Sequence, residues 1–209
     1  MKLFRQIRSN LFIFGLPLLL AVFSCNNDDS SVADQENTNL TNDDNAALLF
    51  MLEEEKLARD TYTYLGDLWN INQFSNIKKS EQSHMNAVIG LLDQYDISYS
   101  LLAYGEFNNP DIQKLYDQFI EYGSENKANA LEVGANIEDL DIVDLAKFID
   151  ATTNSAMIQV FESLQCGSRN HLRSFVNAIE LSGNTYEPQY LTQEDYILII
   201  NDSQEQCGP

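Results

Sequence analysis

The chain has 209 residues and only two histidines, His84 and His171. His84 closes the tetrad Glu81-Gln82-Ser83-His84. On a helix, a three-residue spacing sets a carboxylate and an imidazole on the same face, one turn apart. Glu138 and Asp141 share that spacing, and Glu55 stands in the acidic run Glu53-Glu54-Glu55. Three or four carboxylates with two imidazoles form an oxygen-rich donor set, which suits iron or manganese better than zinc, whose sites take more His and Cys. Taken singly each residue has a plainer reading. A core His is more often hydrogen-bonded than metal-bound, and an inward Glu can reach solvent.

The elements that must position these residues are helices. Apolar residues recur at three and four over about Asp44 to Trp69, with Leu48, Met51, Leu52, Ala58, Tyr62 and Leu65 on one stripe. A second pattern covers about Asn76 to Tyr95, a third about Lys127 to Asp150, and a fourth about Ser155 to Leu181, stopped by Ser182-Gly183-Asn184. About six residues join the first pair and about four the second, so each pair should be an antiparallel hairpin. Asp96 to Asn126 form one long crossover with a short helix after Pro110, and a last short helix should start at Thr192. The expected fold is all-α: four long helices, one crossover between the second and third, and short accessory helices.

At about 100° per residue, Glu55, Glu81 with His84, Glu138 with Asp141, and His171 each fall on the apolar stripe of a different long helix. Burying an unpaired carboxylate costs several kcal/mol, comparable to a small domain's whole stability of about 5–15 kcal/mol. Either shared metal ions offset this, or Arg59, Arg169 and Arg173 lock the acids in a salt-bridge network.

The stretch "EKLARDTY", Glu55 to Tyr62, resembles the rubrerythrin and bacterioferritin pattern, in which a Tyr follows a ligand Glu by seven residues on one face. "SEQSHM" is similar to the ferritin-like Glu-x-x-His motif. More closely, "EEEKLARDTY", "NIKKSEQSHM", "VGANIEDLDI" and "GSRNHLRSF" look like a bacterial and archaeal ferritin-like family catalogued as a domain of unknown function, over about Ala47 to Ile200. The resemblance implies a ferritin-like four-helix bundle and a di-iron or manganese site: Glu55 terminal, Glu81 and Glu138 as bridge candidates, and His84 and His171 on one ion each. It departs at Ser168, where a ferritin-like protein would carry a Glu three residues before His171. Asp141 could replace that oxygen ligand from the neighbouring helix. Tyr62 is expected to stand behind the ligands or to donate electrons; the plainer reading is a core Tyr with a satisfied hydroxyl.

Residues 1–24 read as an export signal, with Lys2, Arg5 and Arg8 before the apolar run Leu11 to Phe23. Val22-Phe23-Ser24-Cys25 resembles a bacterial lipobox, which implies cleavage and lipidation at Cys25. Residues 25–44 form an acidic, polar tether and 45–209 the folded domain. The expected location is the periplasmic or cell-surface face of the outer membrane. Net charge is -20 and falls to -23 once the three leader bases are removed, which excludes nucleic acid as a partner. Cys166 and Cys207 are left to pair as a disulfide or to stay as two thiols, in a compartment that permits either.

The sequence thus points to a lipid-anchored metal protein. If it is an enzyme, its chemistry is oxidation of Fe(II) or reduction of peroxide or oxygen. A lipid on every subunit disfavours a storage cage, and a homodimer stays open. The rival is a metal-free helical lipoprotein that binds a protein or glycan.

Overall fold

Residues 40–208 are described by the structure, a computed structural model. The expected signal peptide, Cys25 and most of the tether lie outside these residues. Six helices form in chain order: α1 (Asn42–Trp69), α2 (Asn72–Gln94), α3 (Pro110–Gly123), α4 (Lys127–Ala151), α5 (Ser155–Leu181) and α6 (Gln193–Asn201). No strand occurs among the described residues, and none of their helices is long and apolar enough to cross a membrane.

Side-chain caps start five of the six. Thr41 and Asp44 make a reciprocal capping box at α1. Asn109, Asn126 and Asn154 accept backbone N–H bonds at the starts of α3, α4 and α5, and Thr192 does so at α6, the start expected from its hydroxyl. The box draws Asp43 and Asp44, which read as the end of a tether, into the first turn of α1, where acids favour the helix dipole.

The link between α1 and α2 is shorter than the six residues the sequence suggests. Asn70 takes a left-handed conformation at φ 52° and reverses the chain at once. Helix α2 then begins at Asn72, because Phe74 is fully buried against Tyr62 and Phe175.

Helix α1 packs on α2 and α4 on α5; α1 also meets α4, and α2 meets α5, which closes a ring of four long helices. Helix α3 lies across α1 and α4, and α6 rests on α5. The crossover is laced to α1 by buried polar groups. The Glu53 carboxylate accepts the backbone N–H groups of Asn108 and Asn109, both at 2.7 Å. Lys56, 2% exposed, donates to Asp60 at 2.7 Å and to the carbonyls of Ala103 and Glu106, and sits 4.3 Å over the Phe107 ring. On α4, Asp139 plays the same part for the loop before α6 by accepting the N–H groups of Gln189, Tyr190 and Leu191. Cys166 and Cys207 are disulfide-bonded, with Cα atoms 5.5 Å apart. Closing a loop of 41 residues stabilises by roughly 4 kcal/mol in the chain-entropy account.

The apolar core falls into two clusters. One gathers Leu57, Tyr62, Phe74, Ile142 and Phe175; the other gathers Leu48, Met51, Met85, Leu92, Leu145 and Phe161. Along α1, α2 and α5, the residues between the clusters are the polar ones: Glu55, Glu81 with His84, and Ser168 with His171.

Candidate metal centre

Four helices deliver five side chains to that gap, and Glu81 is its pivot. Oε2 of Glu81 lies 2.9 Å from Nδ1 of His84 on its own helix, and Oε1 lies 2.9 Å from Nδ1 of His171 on α5. Glu55 approaches the same His84 nitrogen from α1 at 3.2 Å, and Glu138 approaches the His171 nitrogen from α4 at 3.4 Å. The imidazole rings stack at 5.6 Å between centroids. Glu55, Glu81 and Glu138 are each 2% exposed. Two groups result, Glu55-Glu81-His84 and Glu81-Glu138-His171, with the candidate ligand atoms of each within 4.8 Å of one another.

Close approach here is not the same as hydrogen bonding. Oε1 of Glu81 and Nδ1 of His171 are 2.9 Å apart, yet neither makes a hydrogen bond of acceptable angle, and Oε1 of Glu55 is likewise unpartnered. Buried polar atoms normally find partners, so donor atoms converging without them require an explanation.

Electrostatics separates the carboxylates. Burial would raise the Glu81 carboxyl, but His171 and then His84 hold it well below the usual range. Glu55 is pushed by burial up to about 8, with His84 offsetting only part of the shift. Burial also raises Glu138, against the pull of His171. Burial opposes charge on both rings, but carboxylates outweigh it: Glu81 and Glu138 raise His171 to about 10, and Glu55 and Glu81 raise His84.

Further residues brace these five. Tyr62 donates from its phenol to Oε1 of Glu138 at 2.5 Å, and burial followed by the Glu138 charge keeps that phenol protonated. Asp141 is 5% exposed and belongs to neither group of three. Ser168, three residues before His171, donates to Oδ2 of Asp141, while Oδ1 remains unpartnered. Gly167 leaves room for the ring of His84, since a Cβ there would come within 2.7 Å of Nε2.

The three arginines that the rival reading placed in a salt-bridge network are engaged elsewhere. Arg59 bonds Asp60 and Gln82, while Arg169 and Arg173 both hold Glu205. Sequence reasoning also missed Glu54, which lies off the stripe centre yet is 1% exposed, with both oxygens unpartnered. Burial, reinforced by Asp141 and Asp144, raises its carboxyl well above the usual range. Lys56 and Asp60 on the same helix are buried as well, so α1 is covered on more than one face.

These features define a class: an all-helical protein with carboxylates and imidazoles gathered in the middle of its core. The chain belongs to the family described as "Uncharacterized protein domain (DUF2202)", whose model matches residues 44–203. A relative, the uncharacterized protein MJ0754 of Methanocaldococcus jannaschii, is 44% identical over 168 residues, covering 79% of this chain and 91% of that protein. The crystal structure of hypothetical protein MJ0754 superimposes with a TM-score of 0.79, over 80% of this chain and 97% of that one.

Proposed function

We propose that this chain is a ferritin-like four-helix bundle whose core holds a pair of iron or manganese ions. Glu55 and His84 would hold one ion, Glu138 and His171 the other, with Glu81 shared between them. The observation that carries this reading is the position of Glu81, with one oxygen 2.9 Å from each imidazole Nδ1. Donor atoms about 2.1 Å from a common six-coordinate ion lie about 3 Å from one another. Spacings of 2.9 to 3.4 Å fit that geometry, and unpartnered oxygens on Glu55 and Glu81 supply free lone pairs. The donor set, oxygen-rich with one imidazole per group, favours iron or manganese.

A redox metal at this place would supply one-electron exchange, the basis for oxidation of Fe(II) or reduction of oxygen or peroxide. The chain's own residues orient and insulate. Tyr62 ties up one oxygen of Glu138 and so turns the other toward His171. Ser168 fixes Asp141 beside the site with Oδ1 free, the oxygen available to offset the missing carboxylate of α5. The apolar clusters on either side keep bulk water from the carboxylates. On the same reading, lipidation at Cys25 anchors the domain at the outer membrane, supported by the Val22-Phe23-Ser24-Cys25 sequence.

The test is metal content after anaerobic exposure to Fe(II) or Mn(II). The wild type should retain up to one ion per group, and Glu81→Ala should lose most of both. A wild type that stays metal-free after that exposure contradicts the proposal.

A further inference from the structure

Both histidines are slightly open, 11% and 12% exposed at their side chains, and both open into one cavity. It is a half-open cleft of about 400 Å³ in the seam between α2 and α5, with Ser80 and Ser83 on one wall, Ser163, Gly167 and Asn170 on another, and His84 and His171 beneath. The outer edge of His84 faces it, with Nε2 3.4 Å from the Ser80 hydroxyl. The remaining wall is not helical. It is the tail after α6, which contributes Glu205, Cys207 and Gly208.

That tail has no regular secondary structure, and a few discrete contacts hold it. Glu205 receives hydrogen bonds from Arg169 at 2.6 Å and Arg173 at 2.8 Å. Its backbone exchanges bonds with the Asn170 side chain, N–H to Oδ1 at 2.9 Å and carbonyl from Nδ2 at 3.0 Å. Cys207 is bonded covalently to Cys166 on α5. The Glu205 ion pairs are partly exposed and can open and re-form with the solvent, whereas the covalent link does not open without a reductant, so the disulfide is the contact whose loss can free the wall.

We propose that this cavity is the route by which metal ions reach the buried histidines and carboxylates, and that the tail is its removable wall, latched by the Cys166–Cys207 disulfide. A dithiol reductant opens it. The dithiol gives up two electrons and two protons and becomes a disulfide, while Cys166 and Cys207 become two thiols and residues 202–208 are released. The purpose of the route rests on the metal reading; the gating of the histidines does not.

The test measures both on the folded chain in four forms: oxidised wild type, dithiol-reduced wild type, Cys207→Ser, and a chain ending at Asp202. The first readout is carbethoxylation of His84 and His171 by diethylpyrocarbonate, read by mass spectrometry; the chain has no other histidine. The second is the rate of anaerobic Fe(II) uptake. Opening the wall should speed both by about tenfold over the oxidised form, a local opening that leaves far-UV circular dichroism and final metal content unchanged. Equal rates in all four forms overturn the proposal, as does global unfolding on reduction, which would make the bridge a staple of the fold. Faster carbethoxylation with no metal bound by any form would retain the gate and remove the metal reading.

Discussion

Tyr62 and Glu138 are separated by 76 positions in the chain and by 2.5 Å in the structure, phenol to carboxylate, across the contact between α1 and α4. The bond takes one oxygen of Glu138 out of play and leaves the other 3.4 Å from His171. Tyr62→Phe would keep the ring that packs on Phe74 and Phe175 and remove only the donor. Stranding a buried acceptor costs about 1 to 3 kcal/mol. The thermal midpoint should fall accordingly, and metal should be lost from the Glu138 and His171 group before the Glu55 and His84 group. Unchanged stability together with unchanged metal content would show that the bond positions nothing.

Glu54 is buried like its neighbour Glu55 but belongs to neither group of candidate ligands. Burial, reinforced by Asp141 and Asp144, favours its protonated form, and Gln is close in shape to that form. Glu54→Gln should therefore keep its metal and stay within about 1 kcal/mol of wild-type stability at pH 6. An acid whose folded pKa is raised loses stability as pH climbs above its unfolded value. The wild type should thus weaken on the alkaline side, and the variant should weaken less. Parallel pH curves from denaturant titrations of the two proteins would count against this account of Glu54.

Metal uptake should release protons. In the metal-free protein Glu55 titrates at about 8 and His171 at about 10, so both carry protons at pH 7 that an ion must displace. Apparent affinity should rise with pH from 6 to 8. Calorimetric heats at pH 7 should differ between buffers of different ionisation enthalpy, and buffer-independent heats would contradict the assignment. Without metal, these raised groups favour the protonated folded state, and their contribution to stability fades as pH rises toward 10.

Glu205 gives the tail a response of opposite sign. Hydrogen bonds from Arg169, opposed by burial and helped by Arg173, hold its carboxyl down to about 2. A depressed acid stabilises above its unfolded value, here near 4.5, and the contribution is lost as pH falls through about 2. In the oxidised protein, amide protection factors of residues 203–207 should fall as pH drops from 4.5 to 2. In the oxidised protein, Glu205→Gln should lower those protection factors already at pH 6; unchanged protection in that variant would mean the ion pairs add nothing to what the disulfide holds.

Helix positions and the inward residues were legible because both depend on local geometry. A rise of 1.5 Å and a turn of 100° per residue make an apolar stripe visible in one segment alone, and that stripe singled out Glu55, Glu81, His84, Glu138 and His171 before any neighbour was known. Caps at Thr192 and the stop at Ser182-Gly183-Asn184 are local in the same sense. Non-local facts were not legible. A helical wheel reports the face a helix turns to its core, but not that the crossover, the loop before α6 and α3 cover other faces, which is why the burial of Glu54, Lys56 and Asp60 came as a correction. Likewise, the pairing of Tyr62 with Glu138, the turn of Asp141 toward Ser168, and the choice of a disulfide over two thiols depend on distances between segments far apart in the chain. The side chains on each apolar stripe follow from the helical repeat within one segment, whereas which of them meet, and which other faces are covered, follows from how separate segments pack.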